Sequence, residues 1–330
     1  MSPDKIRLGL IGCGEHSLES IVPSLCTIDE ATLVAVCDDS KEKAVKVARR
    51  FPGCEEFCDF NSLIQSGSID AVIVAAPPQV HFEAAREAIR KGVHVFVEKP
   101  PTQTKAELVT LVEEAERQNI VTGVGHNLRH ATAAVEMQRM LVDPPFGKPV
   151  AMEMRYFASK PRGDRWGLGS PLRSFLLSHA NHAIDFMIYQ MGSIARVNAA
   201  VASGQESGIA LTAQFVFESG AVGSLLATSA APHFSISGTI VSDRSRIVQI
   251  HSLDELVCFG IGDDAKRWGR CWTSKTLQTG FEAAGYSTEL REFIGAIQER
   301  NPARFRPSFR DELDIYDAID AIQQKIENHS

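Results

Sequence analysis

Strand-like and helix-like segments alternate without a break through the first 125 residues of this chain of 330 residues. This alternation limits the possible folds more than any other feature. Short apolar runs are typical of buried parallel strands, whose two faces are both covered. Five such strands are predicted, at residues 6–11, 33–37, 70–76, 93–97 and 120–124. Helices are predicted between them, at 16–27, 41–51, 79–91 and 104–118. The pattern indicates an α/β fold in which helices cover both faces of a parallel sheet.

The pattern changes after about residue 125, where strands begin to follow one another directly. A helix, a strand, a polar loop and a second helix are predicted at 131–142, 148–158, 159–173 and 174–191. Five strands are predicted next, at 196–202, 209–218, 221–229, 236–242 and 245–251. Apolar and polar residues alternate within 211–217, which indicates a sheet with two different faces. Two amphipathic helices close the chain, one with Leu290, Phe293, Ile294 and Ile297 on its apolar face, the other with Ile315, Ile319, Ile322 and Ile326. We therefore predict two domains, 1–125 and 126–330, the second an α+β domain with a largely antiparallel open sheet.

Composition argues against several classes of protein. The formal net charge of -7 disfavours nucleic acid as a partner, since phosphate-backbone binding needs a basic surface. No apolar run reaches membrane-spanning length, and the N-terminus lacks the pattern of a signal peptide. We expect a cytoplasmic protein without a membrane partner. The 7 cysteines are scattered and complete no zinc-site spacing, so no metal is expected.

The first predicted strand ends in a glycine turn, Gly12-Cys13-Gly14-Glu15-His16-Ser17. It matches the dinucleotide-binding pattern Gly-x-Gly-x-x-Gly except at the last place. The first glycine permits a tight turn, the second lets the backbone approach a pyrophosphate, and Ser17 is small enough for the third place. The sequence therefore predicts a nucleotide-binding Rossmann fold whose cofactor contacts include Gly12, Gly14, Glu15 and His16.

Asp38 ends the second strand at the distance expected of the acid that binds the cofactor ribose. A carboxylate there accepts hydrogen bonds from both ribose hydroxyls and repels the extra phosphate of NADP. The next residue is Asp39 rather than an arginine that would favour that phosphate. The expected cofactor is NAD.

A second motif, Glu98-Lys99-Pro100, follows the strand at 93–97. Ligands of parallel sheets bind beyond the carboxyl ends of the strands, so this motif and the glycine turn are predicted to share one crevice. Together with that turn, Asp38, Pro77-Pro78-Gln79-Val80-His81 and His182-Ala183-Ile184-Asp185, the motif resembles the glucose–fructose oxidoreductase, inositol dehydrogenase and rhizopine-catabolism (Gfo/Idh/MocA) family. The resemblance extends in order over nearly the whole chain.

The resemblance implies a two-domain dehydrogenase that acts on a sugar, cyclitol or related polyol. It implies that Lys99 contacts the substrate hydroxyl and the nicotinamide ribose, that Glu98 and Pro100 hold the nicotinamide end, and that the bond before Pro100 is often cis. It further places Pro77, His81 and Asn127 in the cofactor crevice and Arg129 near the substrate. Independent chemistry supports Lys99, because a cation beside the carbinol oxygen stabilises the charge that develops there.

The predicted helix at 174–191 supplies the other half of the site. The family pattern there is Asp-x-Gly-x-His-x-x-Asp, so His182 and Asp185 match it while Ser178 and Ala180 depart from it. In the family the first Asp helps to position or polarise the substrate; serine can hydrogen-bond but supplies no negative charge. His182 is the predicted general base, since imidazole titrates near neutral pH. His179 is either a substrate contact or a packed histidine, and a metal site of His179, His182 and Asp185 is an alternative.

The long loop before this helix carries Arg162, Arg165 and Trp166, and Arg173 is its last residue. These arginines would suit an anionic substrate such as a nucleotide sugar or a sugar acid, or they form a solvated basic loop. Tyr286 either covers the substrate pocket or caps the core.

The leading functional hypothesis is reversible hydride transfer between NAD and a hydroxyl or ketone of a sugar-like substrate. One alternative is a redox-neutral enzyme with tightly bound NAD, an epimerase or a glycosidase. Another is a non-catalytic sensor of NAD and a ligand, which the Ser178 departure favours and the presence of Lys99 and His182 disfavours. A homo-oligomer is expected through the open face of the second sheet.

Overall fold

The computed structural model describes residues 5–204, 208–261, 266–273, 280 and 282–328. It divides into two compact units. The first consists of Met1–Asn127 and Gly285–Leu313, and the second consists of Leu128–Ala284 and Asp314–Ser330.

The first unit is built on a sheet of six parallel strands. The strands are β1 (Ile6–Ile11), β2 (Ala31–Cys37), β3 (Glu55–Phe57), β4 (Ala71–Val74), β5 (His94–Glu98) and β6 (Thr122–Gly125). Their order, β3-β2-β1-β4-β5-β6, confirms the predicted Rossmann fold. β3 was not predicted, because it has only three residues and none of them is buried. Since all the strands are parallel, the loops that follow their last residues meet at one edge of the sheet.

Helices connect the strands of this sheet. They are α1 (Val22–Leu25), α2 (Lys41–Ala48), α3 (Phe60–Gln65), α4 (Pro78–Arg90) and α5 (Lys105–Arg117), and a π-helical turn at Ser17–Ile21 precedes α1. The starts of two helices have clear causes. Pro78 is the first residue of α4, where its missing N–H costs nothing. A capping box of Thr104 and Glu107 starts α5.

The segment 285–313 belongs to the first unit, whereas sequence patterning grouped it with the second domain. Its helix, Tyr286–Gln298, places Phe293 5.5 Å from the Phe96 ring of β5, and Phe305 lies 6.2 Å from the same ring. Gly123 leaves room for this cluster, because a Cβ there would lie 2.8 Å from both Phe305 and Phe96. The predicted apolar face of the helix is confirmed, since its residues are buried. An amphipathic pattern does not specify which sheet such a face packs against.

The second unit is built on a sheet of eight strands. They are β7 (Pro149–Phe157), β8 (Ile194–Gly204), β9 (Gly208–Phe217), β10 (Val222–Thr228), β11 (Ser235–Ser242), β12 (Ile247–His251), β13 (Glu255–Ile261) and β14 (Arg267–Thr273). Their order is β14-β13-β12-β11-β7-β10-β9-β8, and all neighbours are antiparallel except β7 and β10. This confirms a largely antiparallel sheet and adds β13 and β14 to the predicted strands.

Helices cover one face of the second sheet. The helical segments that follow β6 in the chain are a 3₁₀ turn (Asn127–His130), α6 (Thr132–Val142), α7 (Pro171–Phe175), a π-helical turn (Leu176–Ala180), α8 (Asn181–Met191), α9 (Tyr286–Gln298) and α10 (Phe309–Glu327). Of these, α9 belongs to the first unit. α8 packs on β7, and α6 packs on β12 and β13. Along β9, Leu211, Ala213, Phe215 and Phe217 are buried, as their alternation predicted.

The other face of this sheet is open. Val222 and Leu226 of β10 are 52% and 39% exposed on it. Two shallow grooves of about 680 Å³ and 580 Å³ lie on it. No helix in the described part of the chain is long and apolar enough to cross a membrane.

Candidate active site

The glycine turn after β1 has the geometry of a phosphate-binding turn. Gly12 has a φ of +95°, and a Cβ there would lie 2.2 Å from the carbonyl oxygen of Ala75, so only glycine fits. Gly14 differs, because a Cβ there would meet no atom within 4 Å. The fold therefore does not require glycine at 14, and the space beside it is open to a ligand. Ser17, at the third glycine position, is buried and donates to the Gly12 carbonyl at 2.6 Å.

The helical segment after this turn directs backbone amides towards the same space. Leu18 N donates to the Gly14 carbonyl at 3.1 Å, so Gly14 immediately precedes the first helical turn. The amides of Glu15 and His16 belong to that first turn, where backbone N–H groups have no acceptor within the helix and favour an anion. Both side chains are exposed.

Asp38 joins the glycine turn to the end of β2. Its Oδ2 accepts from Cys13 N at 2.8 Å, and its Oδ1 accepts from Ser40 N at 2.9 Å. Only 8% of the carboxylate side chain is exposed, and Lys43 Nζ lies 3.9 Å from Oδ1. The two amides fix the carboxylate beside the turn, and each oxygen keeps a second lone pair that can accept a further hydrogen bond.

Three predicted site residues, His16, Glu98 and Tyr286, meet at the carboxyl edge of the sheet. His16 Nε2 donates to Glu98 Oε1 at 3.0 Å, and the Tyr286 ring meets the His16 ring edge-on at 5.5 Å. The Glu98 carboxylate raises the pKa of His16. Burial, the largest single effect, would raise the pKa of Glu98, but the charge and hydrogen bond of His16, together with Lys99 and His81, hold this pKa below its usual value. The sequence proposed these residues separately; their grouping follows only from the fold.

Gly125, which sequence reasoning missed, makes room for Glu98. The two residues are register partners on β6 and β5, and a Cβ at 125 would lie 2.8 Å from the Glu98 carboxylate. A glycine at the end of a predicted strand was the signal that could have found it.

His81, on α4, is 1% exposed, and backbone atoms engage both of its ring nitrogens. Ala76 N donates to Nε2 at 3.1 Å, so the proton is on Nδ1, which donates to the Pro100 carbonyl at 2.8 Å. Burial lowers the pKa of His81 to about 4. The neutral imidazole therefore connects the loop after β4 to the loop after β5. Its neighbour Pro77 caps α4 and is exposed.

Lys99 follows β5 in the loop that His81 braces. Its side chain is half-buried, and the Lys99–Pro100 peptide is cis, as the resemblance implied. Asn127 is buried at the start of the 3₁₀ turn that follows β6, at the same edge of the sheet.

In the second unit, Ser178 and His179 lie within the π-helical turn rather than in a regular α-helix. The Ser178 hydroxyl lies 2.5 Å from the Ser174 carbonyl oxygen, and His179 Nδ1 lies 2.8 Å from the same hydroxyl. A π turn contains an extra residue, so the α-helical spacing that would place Ser178 and His182 on one face of the helix does not apply across it. The partners of Ser178 include the Ser174 carbonyl and His179, its neighbour in sequence.

Tyr156, which sequence reasoning missed, borders both histidines of this helix. Its ring stacks on His182 at 6.3 Å with an angle of 18° and meets His179 edge-on at 6.5 Å. Burial raises the pKa of Tyr156 well above its usual value. His182 is 8% exposed, whereas His179 is half-buried. The outer side of Tyr156 contacts Phe234, which is 52% exposed.

Arg129 pairs with Asp185 inside the second unit. Its Nε donates to the two carboxylate oxygens at 2.7 and 2.9 Å, and its guanidinium lies 5.2 Å from the centre of the Tyr189 ring. Arg129 is 6% exposed and Asp185 is fully buried. The resemblance placed Arg129 near the substrate, and the sequence did not pair it with Asp185. The geometry gives the buried Asp185 carboxylate a cation as a partner.

The loop before α7 carries Arg165 and Trp166. The Arg165 guanidinium lies 5.0 Å from the centre of the Trp166 ring, and Arg165 N donates to Ser174 Oγ at 2.9 Å. Arg165 is exposed and Trp166 is half-buried. Within the described ranges, no three His, Cys, Asp or Glu side chains are arranged to hold a metal ion.

Comparisons with known proteins agree with this geometry. The model of the oxidoreductase family with an NAD-binding Rossmann fold, Gfo/Idh/MocA, matches residues 6–126. A dTDP-3,4-didehydro-2,6-dideoxy-alpha-D-glucose 3-reductase of Saccharopolyspora spinosa is 34% identical over 116 residues, which are 35% of this chain and 35% of the reductase. The matched region thus spans about a third of that relative.

Solved structures match over nearly the whole chain. A dehydrogenase from Chromobacterium violaceum is 35% identical, with a TM-score of 0.94 over 99% of this chain and 96% of its own. Levoglucosan dehydrogenase in complex with NADH and L-sorbose has a TM-score of 0.87 over 99% of this chain and 98% of its own; at 23% identity it supports the fold alone. The family model matches the nucleotide-binding region, and a 35% identical relative matches nearly the whole chain. The chain therefore belongs to the Gfo/Idh/MocA oxidoreductase family.

Proposed function

We propose that this protein is an NAD-dependent dehydrogenase that oxidises a hydroxyl group, or reduces the corresponding ketone, of a sugar, sugar derivative or cyclitol. One observation carries the proposal. The open glycine turn with Asp38 and the Glu98-Lys99-Pro100 loop lie at the same carboxyl edge of one parallel sheet, where such folds bind their ligands.

The residues of this edge fit a dinucleotide. The space beside Gly14 admits a pyrophosphate close to the backbone, and the first-turn amides of Glu15 and His16 favour its charge. Asp38 is held by two amides in position to accept from ribose hydroxyls. The negative charges of Asp38 and Asp39 disfavour a 2′-phosphate, although Lys43 lies close to Asp38. We therefore favour NAD over NADP, and the NADH bound by levoglucosan dehydrogenase agrees with this choice.

The bound nicotinamide would supply the hydride acceptor. Lys99 is the proposed cation beside the substrate oxygen, where it stabilises the negative charge that develops as the hydroxyl proton leaves. His182 is the proposed base that takes this proton. Glu98 and Pro100 would hold the nicotinamide end, and His81 would act by fixing the Pro100 carbonyl.

The relatives and the second unit support the proposed substrate class. The reductase of Saccharopolyspora spinosa and levoglucosan dehydrogenase both carry sugar names. We propose that His179 and His182 contact a polyol, that Ser178 positions His179, and that Arg165 and Trp166 border the substrate. Tyr286 is a further proposed substrate contact, and Arg129 would support the site by holding Asp185 on α8.

Turnover tests the proposal directly. The protein is incubated with NAD and a panel of levoglucosan, myo-inositol and D-glucose, and the NADH absorbance band is followed. Sustained NADH formation with a panel member supports a dehydrogenase. A product without NADH would indicate a redox-neutral enzyme instead. No turnover, together with NAD released on denaturation, would indicate a sensor.

We also propose a homo-oligomer through the open face of the second sheet. Exposed Val222 lines the larger groove on this face and exposed Leu226 lines the smaller one. Self-association would remove this apolar area from water. Light scattering coupled to gel filtration measures the mass of the particle. A monomer at micromolar concentration, or unchanged mass in Leu226→Glu, would contradict this interface.

A further inference from the structure

Ser178 and His179 form a hydrogen-bonded pair whose proton positions are fixed by elementary chemistry. The Ser178 oxygen lies 2.5 Å from the Ser174 carbonyl oxygen and 2.8 Å from His179 Nδ1. A carbonyl oxygen can only accept, so the single hydroxyl proton of Ser178 points at Ser174. Ser178 must then accept from His179, and the neutral imidazole carries its proton on Nδ1.

This tautomer determines what the far side of the His179 ring can do. An imidazole protonated on Nδ1 has its lone pair on Nε2, which then acts as a hydrogen-bond acceptor. Two aromatic rings set the ring plane: Phe175 stacks on it at 6.5 Å with an angle of 15°, and Tyr156 meets it edge-on at 6.5 Å. The direction of the Nε2 lone pair is therefore defined by the serine and the two rings together.

We propose that His179, held by Ser178, uses Nε2 to accept a hydrogen bond from a hydroxyl group of the substrate. This inference rests on the proposed function and names a specificity-determining residue within that site. Tyr156 contacts both imidazoles, which places His179 beside His182. His182 would then take the proton of the reacting hydroxyl, while His179 orients a second hydroxyl. Ser178 is a positioning residue that acts through His179.

The arrangement has a chemical consequence for the choice of substrate. A neutral acceptor forms a hydrogen bond with a substrate hydroxyl and so strengthens binding. It forms none with a carbon that lacks a hydroxyl group. His179 thus favours substrates with two neighbouring hydroxyl groups over their deoxy analogues. A histidine that only packs against Phe175 and Tyr156 would not make this distinction.

The tautomer can be measured without turnover. The protein is labelled with ¹⁵N-histidine, and long-range ¹H–¹⁵N correlation spectra are recorded at about pH 8, above the ordinary imidazole pKa of about 6.5. The His179 signals are identified by their absence in His179→Asn. We expect the Nδ1–H pattern in the wild type and a shift towards Nε2–H in Ser178→Ala. An Nε2–H pattern in the wild type, or no change in Ser178→Ala, overturns the proposal.

Kinetics test the role of Nε2 with a matched pair of variants. His179→Asn keeps an amide donor near the place of Nδ1 and removes Nε2, whereas His179→Gln can bring its carbonyl oxygen to about the place of Nε2. For the panel substrate with the highest turnover, we expect His179→Asn to raise KM roughly threefold to tenfold with kcat within about twofold, the scale of one lost neutral hydrogen bond. His179→Gln should recover most of the KM.

Three outcomes contradict the proposal. They are equal KM values for the Asn and Gln variants, a fall in kcat at unchanged KM, and a deoxy analogue of the substrate that shows the same rise in KM. Thermal melting of both variants confirms that they fold. If the wild type turns over no panel polyol, the proposed function fails, and the tautomer measurement still decides whether Ser178 holds His179.

Discussion

His81 makes the first unit sensitive to acid, and the size of the effect follows from the structure. The buried imidazole has a folded-state pKa of about 4 against an ordinary value of 6.5. Between these two values the unfolded chain binds a proton that the folded protein does not bind. The contribution of neutral His81 to the free energy of unfolding is therefore complete above about pH 6.5, and it is lost as the pH falls towards 4.

The magnitude is the shift multiplied by the free energy of one pKa unit. A depression of about 2.5 units corresponds to about 3 kcal/mol at full effect, of which about 2 kcal/mol is lost by pH 4.5. Glu98 raises the pKa of His16. The contribution of His16 to stability is therefore complete below the pKa of the unfolded chain, about 6.5, and stays constant between pH 6.5 and 4. Glu98, whose pKa is lowered from 4.5, keeps its contribution above about pH 4.5 and loses it as the pH falls further. His94, whose pKa burial lowers, adds a loss in the same direction.

Urea unfolding at about pH 7 and about pH 4.5 measures the effect, with His81→Asn as the variant. Its amide can still donate to the Pro100 carbonyl, but it does not titrate. We expect the variant to be less stable at pH 7, because the Ala76 amide loses its acceptor. We also expect its loss between the two pH values to be about 2 kcal/mol smaller than that of the wild type. His251→Asn, at an exposed site, is the control and should leave the pH dependence unchanged. Equal losses in the wild type and His81→Asn would refute the reasoning.

Three further predictions follow from the cofactor edge and from the buried ion pair. Calorimetry should find NADH bound more than about tenfold tighter than NADPH, and Asp38→Ser should narrow this gap; equal affinities in the wild type would mean that the carboxylate does not reach the ribose. Gly14→Ala should melt like the wild type, because its Cβ meets no atom within 4 Å, yet bind NADH at least about tenfold more weakly; unchanged affinity would place the pyrophosphate elsewhere. Arg129→Ala should lower the free energy of unfolding by about 3–5 kcal/mol, because Asp185 stays buried without this cation. The double variant Arg129→Met/Asp185→Leu should recover most of this loss. A loss below about 1 kcal/mol in the single variant would contradict the importance of the buried pair.

The Rossmann half of the fold was predictable because its signals are local. Apolar runs, the glycine turn and the capping box at Thr104 each depend on a few neighbouring residues. The site motifs at the sheet edge were predictable for the same reason, since parallel strands bring their carboxyl ends together. β3 and the exposed edge strand β14 were missed because neither shows a buried face.

Pairings between distant residues were not predictable. Nothing near Arg129 indicates Asp185 as its partner, and nothing near Tyr156 indicates two histidines beside it. The π turn at Leu176–Ala180 changes which side chains face one another, and no proline or glycine within it marks its position. Local sequence gives the candidates, while the tertiary fold decides their partners.

Hydride transfer itself tests the central claim most directly. The protein is incubated with NAD and a panel polyol that carries deuterium on its carbons, and the reduced cofactor is analysed by mass spectrometry. The account predicts deuterium in the NADH formed by the wild type, and a rate at least about 100-fold lower in Lys99→Ala at unchanged thermal stability. Reduced cofactor without deuterium, or a near-normal rate in Lys99→Ala, would contradict it.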